Sequence, residues 1–148
     1  MKIITNSEKE TIKFAEKFSR SLKGGEVLAL FGDLGSGKTA FTKGLARGLG
    51  VKNIITSPTF VLMKNYKTSA QAPIKTLTHI DAYRLKSGED LEAIGAMEFF
   101  NDKKCITAIE WADNIKSIIP KNAIKIYFQI GENNKRQIEI KKPPVALR

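Results

Sequence analysis

The stretch Gly32-Asp33-Leu34-Gly35-Ser36-Gly37-Lys38-Thr39, GDLGSGKT, follows directly on the apolar run Val27 to Phe31, VLALF. It is either a surface turn that happens to be rich in glycine or a cradle for nucleotide phosphates. The pattern G-x-x-x-x-G-K-[ST] favours the cradle when a strand precedes it and a helix follows. VLALF reads as a strand apolar on both faces, as expected at the centre of a parallel sheet covered by helices. After the loop, TAFTKGLARGLG has helical periodicity through Phe41, Leu45 and Leu49 before Gly50. The context is therefore strand, loop, helix.

Glycines at 32, 35 and 37 allow backbone conformations closed to other residues and leave no Cβ between the amides and an anion. The amides from Gly35 through Ser36, Gly37, Lys38 and Thr39 to Ala40, together with the positive end of the helix, form a nest for the α- and β-phosphates of a nucleotide. Lys38 reaches the β- and γ-phosphates, and the Thr39 hydroxyl is expected to ligate Mg²⁺.

Outward from the loop, strand and helix alternate. Lys2 to Thr5 is strand-like. Ser7 and Glu10 form a capping-box signature ahead of Ile12, Ala15, Phe18, Ser19 and Leu22 at helical spacing, with a stop at Gly24-Gly25. Strand-like FVLMKNY and IKTLTHI flank a surface loop, Lys67 to Pro73; then come a helical GEDLEAIGAMEFF and a strand-like CITAIE. Ile124, Ile126, Phe128 and Ile130 alternate with polar residues, and RQIEIKK returns after Gly131-Glu132-Asn133-Asn134, which predicts an antiparallel hairpin. The expected fold is α/β, with a mostly parallel central sheet between two helical layers and a C-terminal hairpin at its edge.

Composition narrows the class. At 148 residues the chain has the length of one ordinary domain, residues 1–148, with no repeat or evident linker. The longest apolar run falls far short of the roughly 20 residues a membrane span needs, and the charged start MKIITNSEKE leaves no room for a signal peptide, so a soluble cytoplasmic protein is expected. Cys105 is the single cysteine and reads as a small buried strand residue. The formal charge is +10, but of the 25 basic residues only Arg20, Arg47, Arg84, Arg136 and Arg148 are arginine; the lysines are spread along the whole length and read as a solvated surface. No aromatic-basic interleaving points to sequence-specific nucleic-acid binding, although a general attraction to polyanions, RNA included, is compatible with the charge.

Hydrolysis needs a carboxylate on the metal side and a group to orient water, both projecting from the carboxyl ends of neighbouring parallel strands. Asp81, after LTHI, and Glu110, after CITAI, are the two candidates; each could instead simply cap the next turn. His79 lies two residues before Asp81, on the same strand face, where it either hydrogen-bonds a catalytic group or is a structurally satisfied histidine.

Four motifs in order, Gly32 to Thr39, Ser57-Pro58-Thr59-Phe60, His79-Ile80-Asp81-Ala82-Tyr83-Arg84-Leu85 and Glu110-Trp111, resemble those of the TsaE (YjeE) ATPases, and the likeness covers nearly the whole chain. That family takes part in making the threonylcarbamoyl modification on adenosine beside the tRNA anticodon. The resemblance implies a compact P-loop fold and an Mg²⁺-dependent ATPase that works with TsaD and TsaB, with tRNA contacted indirectly or weakly. It implies Glu110 as the carboxylate that joins Thr39 at the metal, Asp81 near the γ-phosphate or attacking water, Thr59 on a switch-like loop, and Ser7 where the N-terminal segment closes the base pocket. Trp111 lies near the nucleotide or anchors the core, and Arg84 reads better as the partner of a local carboxylate than as a charge stabiliser. Family members often carry Glu or Gln two residues after the tryptophan; here Asp113 stands in that place.

Rival readings remain. A small-molecule P-loop kinase would use the same cradle, but no arginine-rich lid is evident. A GTPase would need N-K-x-D, and NKRQ lacks the acid. A non-catalytic module would use nucleotide to order the SPTF loop for partners.

Overall fold

The computed structural model describes residues 1–56, 62–69 and 73–144, so Ser57, Pro58, Thr59 and Phe60 lie outside the described residues. In chain order the elements are β1 (Lys2–Thr5), α1 (Glu8–Ser19), β2 (Val27–Phe31), α2 (Lys38–Gly48), β3 (Met63–Lys67), β4 (Thr76–Asp81), α3 (Gly88–Ala93), β5 (Cys105–Glu110), β6 (Ile124–Ile130) and β7 (Arg136–Lys141). Short 3₁₀ segments cover Ala96–Phe99, Ala112–Ile118 and Glu132–Asn134.

One seven-stranded sheet runs in the order β1-β7-β6-β2-β5-β4-β3. Parallel pairing is confined to its middle, where β2 lies between β6 and β5 and β4 pairs with β5. The flanks are antiparallel: β3 on β4, β7 on β6 as the expected hairpin, and β1 on β7. Because side chains alternate across a strand, VLALF feeds both faces. Leu28 and Leu30 point to α1 and α2, in a cluster with Phe41, Leu45, Ile106 and Ile126. Val27, Ala29 and Phe31 point the other way, to Leu91, Ala96, Ile109 and Ile115. The result is three layers with a core on each side of the sheet.

Helix α1 is capped as its sequence predicts: the Glu10 amide donates to Ser7 Oγ at 3.1 Å, while the Glu10 carboxylate accepts from the Asn6 amide at 2.6 Å, one residue earlier than in the usual box. It packs tightly on α2. A Cβ on Gly44 would come within 2.2 Å of Ile12 O, so the two backbones meet where a side chain has no room. Phe41, fully buried, joins them through Phe18 at 5.8 Å and reaches Phe128 edge-on at 5.5 Å; truncating such a residue to Ala costs about 3–5 kcal/mol. The helix expected from Gly88 to Phe100 is broken. Gly95 adopts φ 76°, which ends α3 and restarts the chain as a 3₁₀ segment. Cys105 is buried in β5 beside Thr78 Oγ1 at 3.1 Å, as its apolar surroundings suggest, and burial pushes its thiol up from the ordinary value. Among the described residues no helix is long and apolar enough to cross a membrane.

Candidate active site

The P-loop leaves the carboxyl end of β2 and enters α2 at Lys38. Gly37, at the helix N-cap, sits in the left-handed region at φ 113°, which a residue with a side chain adopts only with strain. No side chain caps α2, so its first-turn amides are left for an external acceptor. Beside them opens a cavity of about 800 Å³, within the range that holds small ligands. Gly35, Gly37, Lys38, Thr39 and Ala40 line it on the loop side, and Ser7 lines it from the start of α1. Ser36 does not line it: its hydroxyl is buried without a hydrogen-bond partner beneath the loop, and its amide donates to Asp33 O at 3.1 Å.

Asp81 and Glu110 close the same cavity from β4 and β5. Strand register sets them directly opposite one another, and the amide of Ala82 donates to Glu110 O at 2.9 Å just beyond. Glu110 is 2% exposed and held at both carboxylate oxygens: Thr39 Oγ1 donates to Oε1 at 2.9 Å, and His79 Nε2 lies 2.5 Å from Oε2. With an ionised carboxylate, which can only accept, His79 donates from Nε2. Its Nδ1 is buried with no hydrogen-bond partner. Of the two readings of His79, the hydrogen bond to a candidate catalytic group is the one the geometry bears out. Asp81 is fixed by the Tyr83 amide, which donates to Oδ1 at 2.9 Å.

Lys38 lies almost wholly inside, 4% exposed. Its ammonium donates to Gly32 O and, at 3.1 Å, to Asp33 O, and it sits 3.5 Å from the centre of the Trp111 ring. Burial pulls its pKa below the ordinary lysine value, while Glu110 first, then Asp113, Asp33 and Asp81, act in the opposite direction. Asp113, which stands where family members often carry Glu or Gln, is thus near enough to act on the Lys38 charge.

Trp111, which the sequence offered either near the nucleotide or in the core, lines the cavity, and Asn114 and Arg136 join that region without any local signal in the sequence. Trp111 adopts φ 59° and ψ 40°, which returns its ring over Lys38 and to within 5.0 Å of Tyr83; both rings line the cavity. Asn114 holds that corner by donating to the carbonyls of Ala82 at 2.9 Å and Tyr83 at 3.1 Å. From the far hairpin, Arg136 Nε donates to Gly35 O at 3.1 Å and forms another wall. A dipeptide such as Asn133-Asn134 signals a turn, but nothing in it announces that the next strand leans on a loop a hundred residues earlier.

A hard divalent cation fits this donor set. Mg²⁺ takes oxygen ligands and commonly binds through one or two protein oxygens together with substrate phosphates and water, and Thr39 Oγ1 and Glu110 Oε1 supply such a pair next to the phosphate cradle. Among the described residues no group of three or more His, Cys, Asp or Glu side chains forms a metal cage on its own.

Similarity to known proteins agrees with this geometry. The family model "Threonylcarbamoyl adenosine biosynthesis protein TsaE" matches residues 5–138. The tRNA threonylcarbamoyladenosine biosynthesis protein TsaE of Rickettsia typhi is 41% identical over 138 residues, 93% of this chain and 92% of its own. That of Bacillus subtilis is 36% identical over 134 residues, 90% and 80% of the two chains. The crystal structure of Bacillus subtilis YdiB superposes with a TM-score of 0.79 at 31% identity, covering 97% of this chain and 86% of that one. The chain belongs to the TsaE family of tRNA threonylcarbamoyladenosine biosynthesis proteins.

Proposed function

We propose that this chain is an Mg²⁺-dependent ATPase whose cycle serves, in the cytoplasm, the attachment of the threonylcarbamoyl group to adenosine beside the tRNA anticodon, in company with TsaD and TsaB. The observation that carries the reading is the Thr39–Glu110 pair, 2.9 Å apart, beside an uncapped helix start and a cavity of nucleotide size.

In this reading the amides of Gly35, Gly37, Lys38, Thr39 and Ala40 hold the α- and β-phosphates, the Ser36 amide being engaged by Asp33 O, and Lys38 exchanges its carbonyl partners on Gly32 and Asp33 for the β- and γ-phosphate oxygens. Thr39 and Glu110 hold Mg²⁺, which when bound neutralises charge on the β- and γ-phosphates. His79 keeps Glu110 in place from behind. Asp81, anchored by the Tyr83 amide, orients the attacking water; the bond from that oxygen to the γ-phosphorus forms as the bridge to the β-phosphate breaks, one water proton passes to the Asp81 carboxylate and on to solvent, and ADP leaves with the bridging oxygen. Thr59, on the segment outside the described residues, is proposed as the sensor of the γ-phosphate, and Ser7 as part of the base pocket.

Purified protein with ATP and Mg²⁺ tests this. Slow hydrolysis alone, raised by added TsaD–TsaB by a factor of about 10³ or more, is the expected outcome, since a catalytic group supplied by a partner is worth that much in related switches. Lys38→Ala should weaken ATP binding about tenfold to a hundredfold by calorimetry, the worth of a charge-assisted hydrogen bond. Wild-type affinity in that variant, or no hydrolysis with or without partners, would overturn the reading.

A further inference from the structure

Lysines scattered through the sequence are not scattered in space. The parallel strands begin, and the antiparallel β3 and β7 finish, at the end of the sheet away from the P-loop, and there each supplies lysine: Lys67 after β3's Tyr66, Lys75 before β4, Lys104 before β5, Lys23 ahead of β2, Lys125 in β6 and Lys141 in β7. All six are exposed. Lys2 of β1 completes the row, opposite Glu139. Backbone bonds tie neighbours together: the Lys75 amide donates to Lys104 O at 2.7 Å, and the Gly25 amide to Cys105 O at 2.8 Å. Seven strands at the usual spacing make a band about 29 Å long.

The acids in this band are already engaged. The Glu26 carboxylate accepts the amides of Lys23 at 2.8 Å and Gly24 at 2.6 Å, Asp102 accepts that of Lys104 at 2.9 Å, and Glu139 lies 3.8 Å from the Lys141 ammonium. The geometry points to this lysine band as a binding surface for the phosphodiester backbone of RNA, and the family's tRNA pathway, independent of the ATPase reading, supplies the RNA.

The chemistry favours a polyanion over a protein. Point charges on flexible stems, in a long row without arginine forks, suit backbone contacts that carry no sequence information. Protein interfaces centre on clusters of large apolar anchors; the exposed Leu34, Tyr83 and Ile130 stand at the other end of the sheet, while Met1, beside Lys2, is a lone exposed apolar side chain next to the row rather than a cluster.

The test is fluorescence anisotropy of the full chain with a labelled, unmodified tRNA transcript, without ATP, across a salt series. A Lys23→Glu, Lys75→Glu, Lys104→Glu variant should bind at least tenfold more weakly, with its log–log salt slope reduced by about two, since each phosphate contact contributes about 0.7 to 0.9. Glutamine at the same positions should give an intermediate loss and guards against a folding artefact, as do unchanged circular dichroism and ATP affinity. A matched control, Lys9→Glu, Lys86→Glu, Lys116→Glu, should lose less than about threefold, as charges elsewhere act only through screened solvent. Equal loss in both triples, loss in neither, or loss of TsaD–TsaB binding with RNA affinity intact would each overturn the inference. Because no nucleotide is present, a failed ATPase assay leaves this result untouched.

Discussion

The two ends of the sheet are built on opposite plans. At the carboxyl ends of β2, β4 and β5, polar groups are buried and interlocked: Lys38, Asp81, Glu110 and His79 are each less than a tenth exposed, and most of the hydrogen bonds found for them run to one another or to the loop. At the amino ends, charges are exposed and the carboxylates are satisfied by nearby amides. A six-residue strand separates the plans by about 20 Å, beyond the screening length of about 8–10 Å at ordinary ionic strength. The contrast teaches that an interlocked polar site fails as a unit, whereas a band of surface charge weakens in proportion to what is removed.

The hardest test of that contrast is Glu110→Ala. It takes the partner from both Thr39 and His79, and turnover should fall by about 10²–10³-fold, the usual cost of losing one organising group. Stability should fall too, by about 1–3 kcal/mol in urea unfolding, because the His79 nitrogen is left buried and unpaired. Glu110→Gln keeps an acceptor oxygen for one of the two groups and offers an amide N–H to the other, whose hydroxyl or imidazole nitrogen can turn to accept it, and should recover part of the stability but little of the turnover. If both substitutions left turnover alone, the interlocked end would be only a structural feature.

Lys38→Met probes the same end through pH. Burial lowers the Lys38 pKa, so between that lowered value and 10.5 the unfolded chain binds more protons than the folded one, and stability rises with pH across that window. Below it the cost of the buried charge is fully present. Without nucleotide, the Met variant should therefore melt above the wild type at neutral pH, and the gap should shrink as pH approaches 10.5. A gap that stays constant with pH would mean that the ammonium's bonds to Gly32 and Asp33 fully offset its burial.

The smallest effect belongs to light. Trp111 is the single tryptophan, and its ring holds the Lys38 ammonium 3.5 Å from its centre. ATP that draws Lys38 away should change its emission, because the ring loses its cation partner, and an unchanged spectrum would mean that Lys38 stays over the ring. The Lys23/75/104 glutamate triple should show the same change as the wild type, which keeps the two ends separate.

Much of the interlocked end was legible in the sequence because its parts are local: strand, glycines, lysine and threonine are contiguous, and Asp81 and Glu110 announce themselves as acids closing apolar strands. His79 followed from period-two spacing with Asp81. Arg136 and Asn114 were not legible, since their roles depend on which loop each meets in three dimensions, and for Trp111 the sequence offered a place near the nucleotide or in the core without the left-handed turn that decides its position. The lysine band was invisible for the same reason: residues as far apart as Lys23 and Lys125 become neighbours only once strand order and direction are known, and composition alone reads them as solvated surface. Gly95 misled in the other direction, because helical periodicity on both sides of it hid a break that its backbone imposes.

One pairing has a consequence for how the molecule is made. β1 hydrogen-bonds to β7, and the amino group of Met1 donates to Ile140 O at 3.0 Å across 139 positions of chain. On the ribosome, at about 5–20 residues each second, the first strand emerges and has no sheet to join until the last one follows it. Such distant pairing slows folding, and it falls next to α1, whose start at Ser7 forms a lip of the cavity. The growing chain thus cannot finish this cavity until translation reaches β7, and a nascent protein stalled before that strand would carry the glycine-rich loop without its N-terminal wall.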